Sequence, residues 1–322
     1  METIEKPYVI GLDLGGTNSV FGIVDLRGDI KATTAIKTAA YPDVNDYVAA
    51  AATALEPIIE SVGGIDTIKG MGIGAPNGNY YTGNIENAAN LAWRGIVPLA
   101  KLFSDKLGIP VAITNDANAA AVGEMTYGVA RGMKDFIMIT LGTGVGSGIV
   151  VNGQVVYGSD GFAGELGHVT IDESPDARQC GCGRKGCLEA YCSGTGIART
   201  AREFLQNDSR PSMLREYPLE SVTGLEVSVC AKKGDPLSID ILKYTGTLLG
   251  KACSNFALFC SPEAFIFFGG PTKSGEYLMD PLRKAYDENI LSMYRGHAKL
   301  LLSGLNGASA AVLGASALGW EL

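Results

Sequence analysis

The chain has 322 residues, 46% of them hydrophobic, and a formal net charge of -8. That length carries two domains or one large α/β unit, and the apolar content excludes a disordered chain. The acidic balance, without any basic tract, excludes the electrostatic footprint of nucleic-acid binding. No apolar run has the length of a membrane span, and the acidic opening METIEKPYVIGLDLGG lacks the pattern of a signal peptide, so a cytoplasmic protein is expected. Seven cysteines, three of them in one tight cluster, fit cytosolic thiols plus a metal site better than a disulfide framework.

Residues 8–14, YVIGLDL, read as a buried strand. Gly15 and Gly16 make a turn, TNSVFGIVDL returns as a second strand, and IKATTAIKT is a third. The period of Val44, Tyr47, Val48, Ala51 and Leu55 predicts a helix over 43–62, with Pro57 as a kink or break. IKGMGIGAP is a buried strand that leads into a polar loop, 77–90. VPLAKLFSDKLG is a short helix ending at Gly108, and PVAITNDAN is a strand ending at Asn115-Asp116. A helix of roughly 117–131 follows.

The pattern then starts again. FIMITLGTG is a strand and glycine turn, and VGSGIVVNGQVVYG is a hairpin around Asn152-Gly153. IGLDLGGTNSVFGIVDLRGDI and IMITLGTGVGSGIVVNGQVV are two copies of one strand–glycine turn–hairpin unit. Downstream come helices at SGTGIARTAREFL and 236–260, a strand at EAFIFFGGP, a helix at YLMDPLRKAYDENIL, a strand at AKLLLSGL and a last helix at ASAAVLGASALGW. Two similar α/β halves imply two domains facing each other across a cleft, with ligands at strand ends. The expected division is 1–117 plus about 305–322 for a smaller domain, and 118–304 for a larger one.

Asp13-Leu14-Gly15-Gly16-Thr17-Asn18 ends the first strand. Its glycines let backbone approach phosphate oxygens, Thr17 adds a hydrogen bond, and Asp13 is placed to hold hydrated Mg²⁺; an ordinary hairpin turn is the bland reading. The second copy, centred on Thr143 and Gly144, turns that into two phosphate clamps on one nucleotide. Gly269-Gly270 is either a surface against a nucleoside or a structural turn. No Walker-type lysine follows either turn, and the Gly142 run enters a hairpin where a dinucleotide fingerprint enters a helix. Asn115-Asp116 stands before a helix, so it is either an N-cap or a carboxylate that takes a proton from an attacking hydroxyl. Glu165, His168 and Glu189 are either sugar-binding acceptors or supports for a metal. Asn90 faces the expected cleft as a substrate contact or a turn residue.

Residues 161–192, GFAGELGHVTIDESPDARQCGCGRKGCLEAYC, hold His168, Cys180, Cys182 and Cys187. Four soft or borderline ligands in one short segment fit a closed tetrahedral Zn²⁺ site, with glycines that let the loop wrap the ion. With all four positions filled by protein, no catalytic water has room, so the expected zinc is structural.

Together these motifs resemble the ROK family (repressors, open reading frames and sugar kinases), and within it the glucokinase-like enzymes. The resemblance rests on DLGGTN at 13–18, ND at 115–116, LGTGVGSGIVVNGQVVYG followed by GFAGELGH, and CGCGRKGCLEAYCSG, in the family's order across nearly the whole chain. It implies an actin-like ATPase fold with two ribonuclease-H-like domains, and ATP with Mg²⁺ near Asp13, Gly16, Thr17, Thr143 and Gly144. It implies Asp116 as general base, and Asn115, Glu165, His168 and Glu189 around a hexose, with His168 also on zinc. The expected reaction is phosphorylation of glucose at the 6-hydroxyl; alternatives are an N-acetylmannosamine, N-acetylglucosamine or fructose kinase, or a sugar-sensing regulator. Family members are usually cytoplasmic homodimers or homotetramers. Some carry an N-terminal helix-turn-helix domain, for which a first strand at residue 8 leaves no room.

Overall fold

Tyr8–Leu14 forms strand β1, with Val9, Ile10 and Leu12 fully buried, as expected of an apolar, β-branched run covered on both faces. The computed structural model describes residues 6–305 and 309–322. β1 pairs antiparallel with β2 (Ser19–Asp25), and β2 pairs antiparallel with β3 (Ile30–Ile36). Helix α1 (Val44–Glu60) starts at Asp43, whose carboxylate accepts from the Asn45 N–H at 2.7 Å. Pro57 does not end α1, which runs on through it to Glu60.

β4 (Ile68–Gly74) lies parallel to β1. The loop after it holds a two-residue ladder, β5 (Ile85–Glu86) with β6 (Ile96–Val97). α2 (Leu99–Leu107) then leads to β7 (Val111–Thr114), parallel to β4, and β7 leads directly to α3 (Asp116–Tyr127). The sheet order is β3-β2-β1-β4-β7. Tyr47, Leu55 and Phe103 from α1 and α2 pack with Leu12, Phe21 and Ile73 in one core. The Tyr47 hydroxyl is satisfied inside it, donating to Ser19 Oγ at 2.8 Å.

The second sheet repeats this wiring. β8 (Phe136–Leu141) is antiparallel to β9 (Val145–Val151), and a turn with positive φ at Asn152 and Gly153 leads to β10 (Gln154–Val155). Helices α4 (Glu189–Cys192), α5 (Gly194–Asn207), α6 (Gly224–Lys232) and α7 (Pro236–Cys260) precede β11 (Ala264–Gly269), which lies parallel to β8. α8 (Glu276–Asn289) and β12 (Lys299–Leu302) follow, with β12 parallel to β11. Leu249, Phe256, Phe265 and Leu282 share the core under α7 and α8, and Ile197, Val227 and Ile241 form a separate core where α5, α6 and α7 meet.

α9 (Ser309–Gly319) returns to the first sheet, packing on α3, β1 and β4. The approach is backbone to backbone: a Cβ on Gly72 would stand 1.9 Å from the Ala315 carbonyl oxygen, and one on Gly11 2.2 Å from that of Val312. The chain therefore divides into one unit of Met1–Met133, Gly153–Ala163 and Ser303–Leu322 and another of Lys134–Asn152 and Gly164–Leu302. The first passage between units falls after Met133, beyond the expected 117, because α3 packs against α9 and stays with the first sheet. No helix among the described residues is long and apolar enough to cross a membrane.

Candidate functional site

In the first unit the polar residues gather at the ends of β1 and β7. Asp13 is half-buried near the end of β1, and the following turn is closed by Gly15 N–H donating to the Asn18 carbonyl at 3.0 Å. Thr17 and Asn18 are exposed on that turn. Gly16 answers a packing need: a Cβ there would lie 2.3 Å from the Asn90 carbonyl oxygen. Asn90, itself exposed, is thereby held against the turn.

Asn115 does act as the N-cap of α3, its Oδ1 accepting from the Asn118 N–H at 2.7 Å. Capping by Asn115 leaves Asp116, the first residue of α3, free for other chemistry. The Asp116 carboxylate accepts from the Ala117 N–H at 2.8 Å. Its side chain is reachable by solvent yet closely surrounded by protein, and this burial raises its pKa above the ordinary aspartate value. Asp13 is raised too, first by burial and then by the charge of Asp116, which places the two carboxylates within electrostatic reach of each other. A solvent-accessible carboxylate with a raised pKa is suited to accept a proton, and paired carboxylates are suited to a hydrated divalent cation.

In the second unit the turn after β8 is held from both sides. Gly142 N–H donates to the Gly144 carbonyl at 3.0 Å, Gly194 N–H to the Gly142 carbonyl at 2.8 Å, and the Thr195 hydroxyl to the Thr143 carbonyl at 2.9 Å. The turn thus sits at the N-terminus of α5, where the helix dipole favours an anion. A cavity of about 520 Å³ opens beside it, lined by Gly142, Thr143, Thr195, Val222, Gly270 and Lys273 among others. Gly270 lines that cavity, whereas Gly269, with φ of 117°, packs against the Leu141 carbonyl.

Gly144 is small for a different reason. A Cβ there would meet Glu189 Oε2 at 2.3 Å, because that oxygen accepts from the Val145 N–H at 3.0 Å. Glu189 Oε1 is 3.5 Å from Cys180 Sγ, so one carboxylate touches both the glycine turn and the cysteine loop. Glu165 is exposed just before the one-turn 3₁₀ segment Leu166–His168, and its carbonyl accepts from His168 N–H at 3.1 Å.

The ligand atoms of His168, Cys180, Cys182 and Cys187 all lie within 4.8 Å of one another. Cys182 Sγ is 3.7 Å from Cys187 Sγ, and Cys180 Sγ is 3.8 Å from His168 Nδ1. Those spacings match the edges of a tetrahedron around an ion with ligand distances of about 2.0–2.3 Å, and they are too long for a disulfide. Burial pushes the Cys180 thiol up to about 12 and raises Cys187, while the Arg184 backbone N–H lowers Cys182. The Arg184 guanidinium also donates to the His168 carbonyl and to Thr170 Oγ1, both at 3.1 Å, bracing the histidine's backbone.

The ROK family model matches residues 9–321. The chain belongs to the ROK family. It is 34% identical over 320 residues to a glucokinase of Halalkalibacterium halodurans, covering 97% of this chain and 94% of that one. The crystal structure of a ROK family glucokinase from Streptomyces griseus, in complex with glucose and AMPPNP, superposes with a TM-score of 0.80 at 33% identity, covering 98% of this chain and all of that one. A xylose repressor of Bacillus subtilis is 29% identical, over 77% of this chain and 60% of the repressor. The fold is the actin-like ATPase fold of this family, with two ribonuclease-H-like α/β units.

Within this ROK chain, Asp13, the 15–18 turn, Asn90, Asn115 and Asp116 come together in the first unit. Thr143, Gly144, Glu189 and the four residues that could hold a metal ion come together in the second. Sequence reasoning did not find Thr195, Arg184 or Arg178. Thr195 has a visible signal, since SGTG at 193–196 places a capping serine and a second hydroxyl at a helix start. The two arginines have none, because each is held by several backbone carbonyls and side-chain oxygens that only folding brings around it.

Proposed function

We propose that this chain is a sugar kinase that transfers the γ-phosphoryl group of ATP to the 6-hydroxyl of a hexose, with glucose preferred. The observation that carries the reading is Asp116: a solvent-accessible carboxylate at the start of α3, made a stronger proton acceptor by the burial that raises its pKa, with Asn115 already doing the capping. Asp116 takes the hydroxyl proton as the sugar oxygen bonds to the γ-phosphorus, and the bond from that phosphorus to the bridging oxygen breaks, releasing ADP. Asp13 would hold hydrated Mg²⁺, which would supply neutralisation of phosphate charge. Gly15, Gly16, Thr17 and Asn18 form one phosphate turn, and Thr143 and Gly144 the other. The nucleoside enters the cavity beside Gly270, while Gly269 supports that strand end.

Asn90, Asn115, Glu165, His168 and Glu189 hold the sugar. Preference for glucose draws on the glucokinase relatives and on the glucose complex of the Streptomyces griseus enzyme. N-acetylmannosamine, N-acetylglucosamine or fructose as substrate would leave every motif in place. His168, Cys180, Cys182 and Cys187 fit structural Zn²⁺ by donor type and spacing, and the ion would fix the loop that presents His168 and Glu189. The repressor relative supports a second reading, a sensor that binds sugar without turnover.

The test is phosphorus NMR of protein mixed with ATP, Mg²⁺ and glucose. A hexose 6-phosphate signal growing with ADP is the expected result. Saturable glucose binding with no new phosphate ester, by zinc-loaded folded protein, would favour the sensor reading.

A further inference from the structure

Arg178 is a buried cation, 5% exposed, that no role assigned above uses. Its guanidinium donates to the Ala190 carbonyl at 3.1 Å, the Gly196 carbonyl at 3.3 Å and Thr200 Oγ1 at 2.9 Å, and it pairs with the Glu203 carboxylate. It also lies over the Tyr191 ring, 4.5 Å from the centroid. The backbone is engaged as well: Arg178 N–H donates to the Tyr191 hydroxyl at 2.9 Å, and the Arg178 carbonyl accepts from Gly186 N–H at 2.9 Å. The Tyr191 hydroxyl in turn donates to Asp172.

These contacts tie α5 to α4, which is only four residues long and begins with Glu189. A single helical turn does not hold itself in place, because nucleation is unfavourable and few internal hydrogen bonds form. Its position comes from outside. Leu188 and Cys192 are buried, Cys187 tethers one end to the metal loop, and Arg178 grips Ala190 and Tyr191. A planar guanidinium with fixed donors suits this task, since it satisfies acceptors on α4 and α5 at once. α5 is the helix whose Gly194 and Thr195 hold the turn at 142–143.

We infer that Arg178 is the positioning residue for Glu189, and that through it the cysteine loop sets sugar affinity. This rests on the reading of Glu189 as a sugar contact. The Cys187 anchor and the Arg178 anchor lie on opposite sides of Glu189 in the chain, so losing Arg178 loosens the backbone that carries Glu189 and leaves only the Val145 and Cys180 contacts to aim its carboxylate, while the metal site stays intact.

The experiment compares wild type with Arg178→Lys and Tyr191→Phe, a milder change that keeps the ring. Glucose affinity by calorimetry, zinc content, and KM for glucose and ATP are measured on folded protein. Arg178→Lys is expected to raise the glucose Kd by about 10–100-fold, taken from the loss in affinity or activity when a hydrogen-bond partner that orients a metal ligand is removed. ATP KM rises by clearly less than the glucose Kd, because α5 keeps its own helix and its contacts to the 142–143 turn; zinc stays stoichiometric, and Tyr191→Phe moves in the same direction by less. An unchanged glucose Kd in both folded variants would overturn the inference, as would equal losses for sugar and ATP that track the folded fraction. Wild type that binds glucose without turnover would refute the kinase reading alone and leave this comparison in force. Wild type that binds no sugar would remove both.

Discussion

Gly144→Ala tests whether the glycine turn and Glu189 work as one piece. The added Cβ would stand 2.3 Å from Oε2 and 3.2 Å from Cδ of Glu189. The carboxylate must retreat by roughly 1 Å to reach ordinary contact. Its hydrogen bond from Val145 N–H is 3.0 Å long, so that retreat breaks it. A lost hydrogen bond to a charged group costs about 1.5–3 kcal/mol, and Glu189 is only half-buried, so the lower end applies. At about 1.4 kcal/mol per tenfold, kcat/KM for the sugar should fall roughly 10- to 30-fold. Gly142→Ala is the control, because a Cβ there meets nothing within 4 Å and its residue lines the cavity. It should leave glucose affinity alone and alter only ATP KM. Steady-state kinetics in both substrates, with thermal unfolding to confirm folding, makes the comparison. Wild-type sugar kinetics in Gly144→Ala would refute the coupling of Glu189 to the turn.

Asp116→Asn removes the proton acceptor and keeps the shape, so kcat should fall by about 10²–10⁴ while glucose Kd stays near wild type; unchanged kcat would take Asp116 out of the chemistry. The raised pKa of Asp116 sets the sign of the pH response. Its ionised, proton-accepting form is lost as pH falls, so kcat/KM should decline with an inflection above the ordinary aspartate value of about 3.9; an acid limb at or below that value contradicts the assignment. Chelation of the metal, or Cys182→Ser, should lower the unfolding temperature and weaken glucose binding roughly tenfold or more; metal-free protein with full affinity would show that the loop stands without its ion. Phe265→Ala, at a position with no exposure in the second core, should cost about 3–5 kcal/mol in denaturant unfolding, and a shift under about 1 kcal/mol would mean that this core relaxes around the loss.

The two strand–turn–hairpin copies were legible because each places glycine between apolar strands, and the structure repeats the same mixed sheet at both. Cys180, Cys182 and Cys187 with His168 were legible because thiol ligands crowd a short segment. Position 224–232 was harder: α6 there begins with a capping box, Thr223 with Glu226, a short polar signal ahead of a weakly amphipathic run. The turn glycines carry a second requirement that the sequence does not show. Gly16 and Gly144 read as phosphate-approach glycines, and their size also answers the Asn90 carbonyl and the Glu189 carboxylate, partners distant in sequence. Arg178 was invisible for the same reason, since a buried arginine is explained only by acceptors that folding brings to it.

The most direct test of the account is ADP release with ATP and Mg²⁺ against glucose, mannose, fructose, N-acetylglucosamine and N-acetylmannosamine. The account predicts turnover that depends on sugar, with kcat/KM highest for glucose and lost in Asp116→Asn. A higher kcat/KM for an N-acetylhexosamine would keep the chemistry and replace the substrate. No sugar-dependent release by zinc-loaded wild-type protein would contradict the central claim.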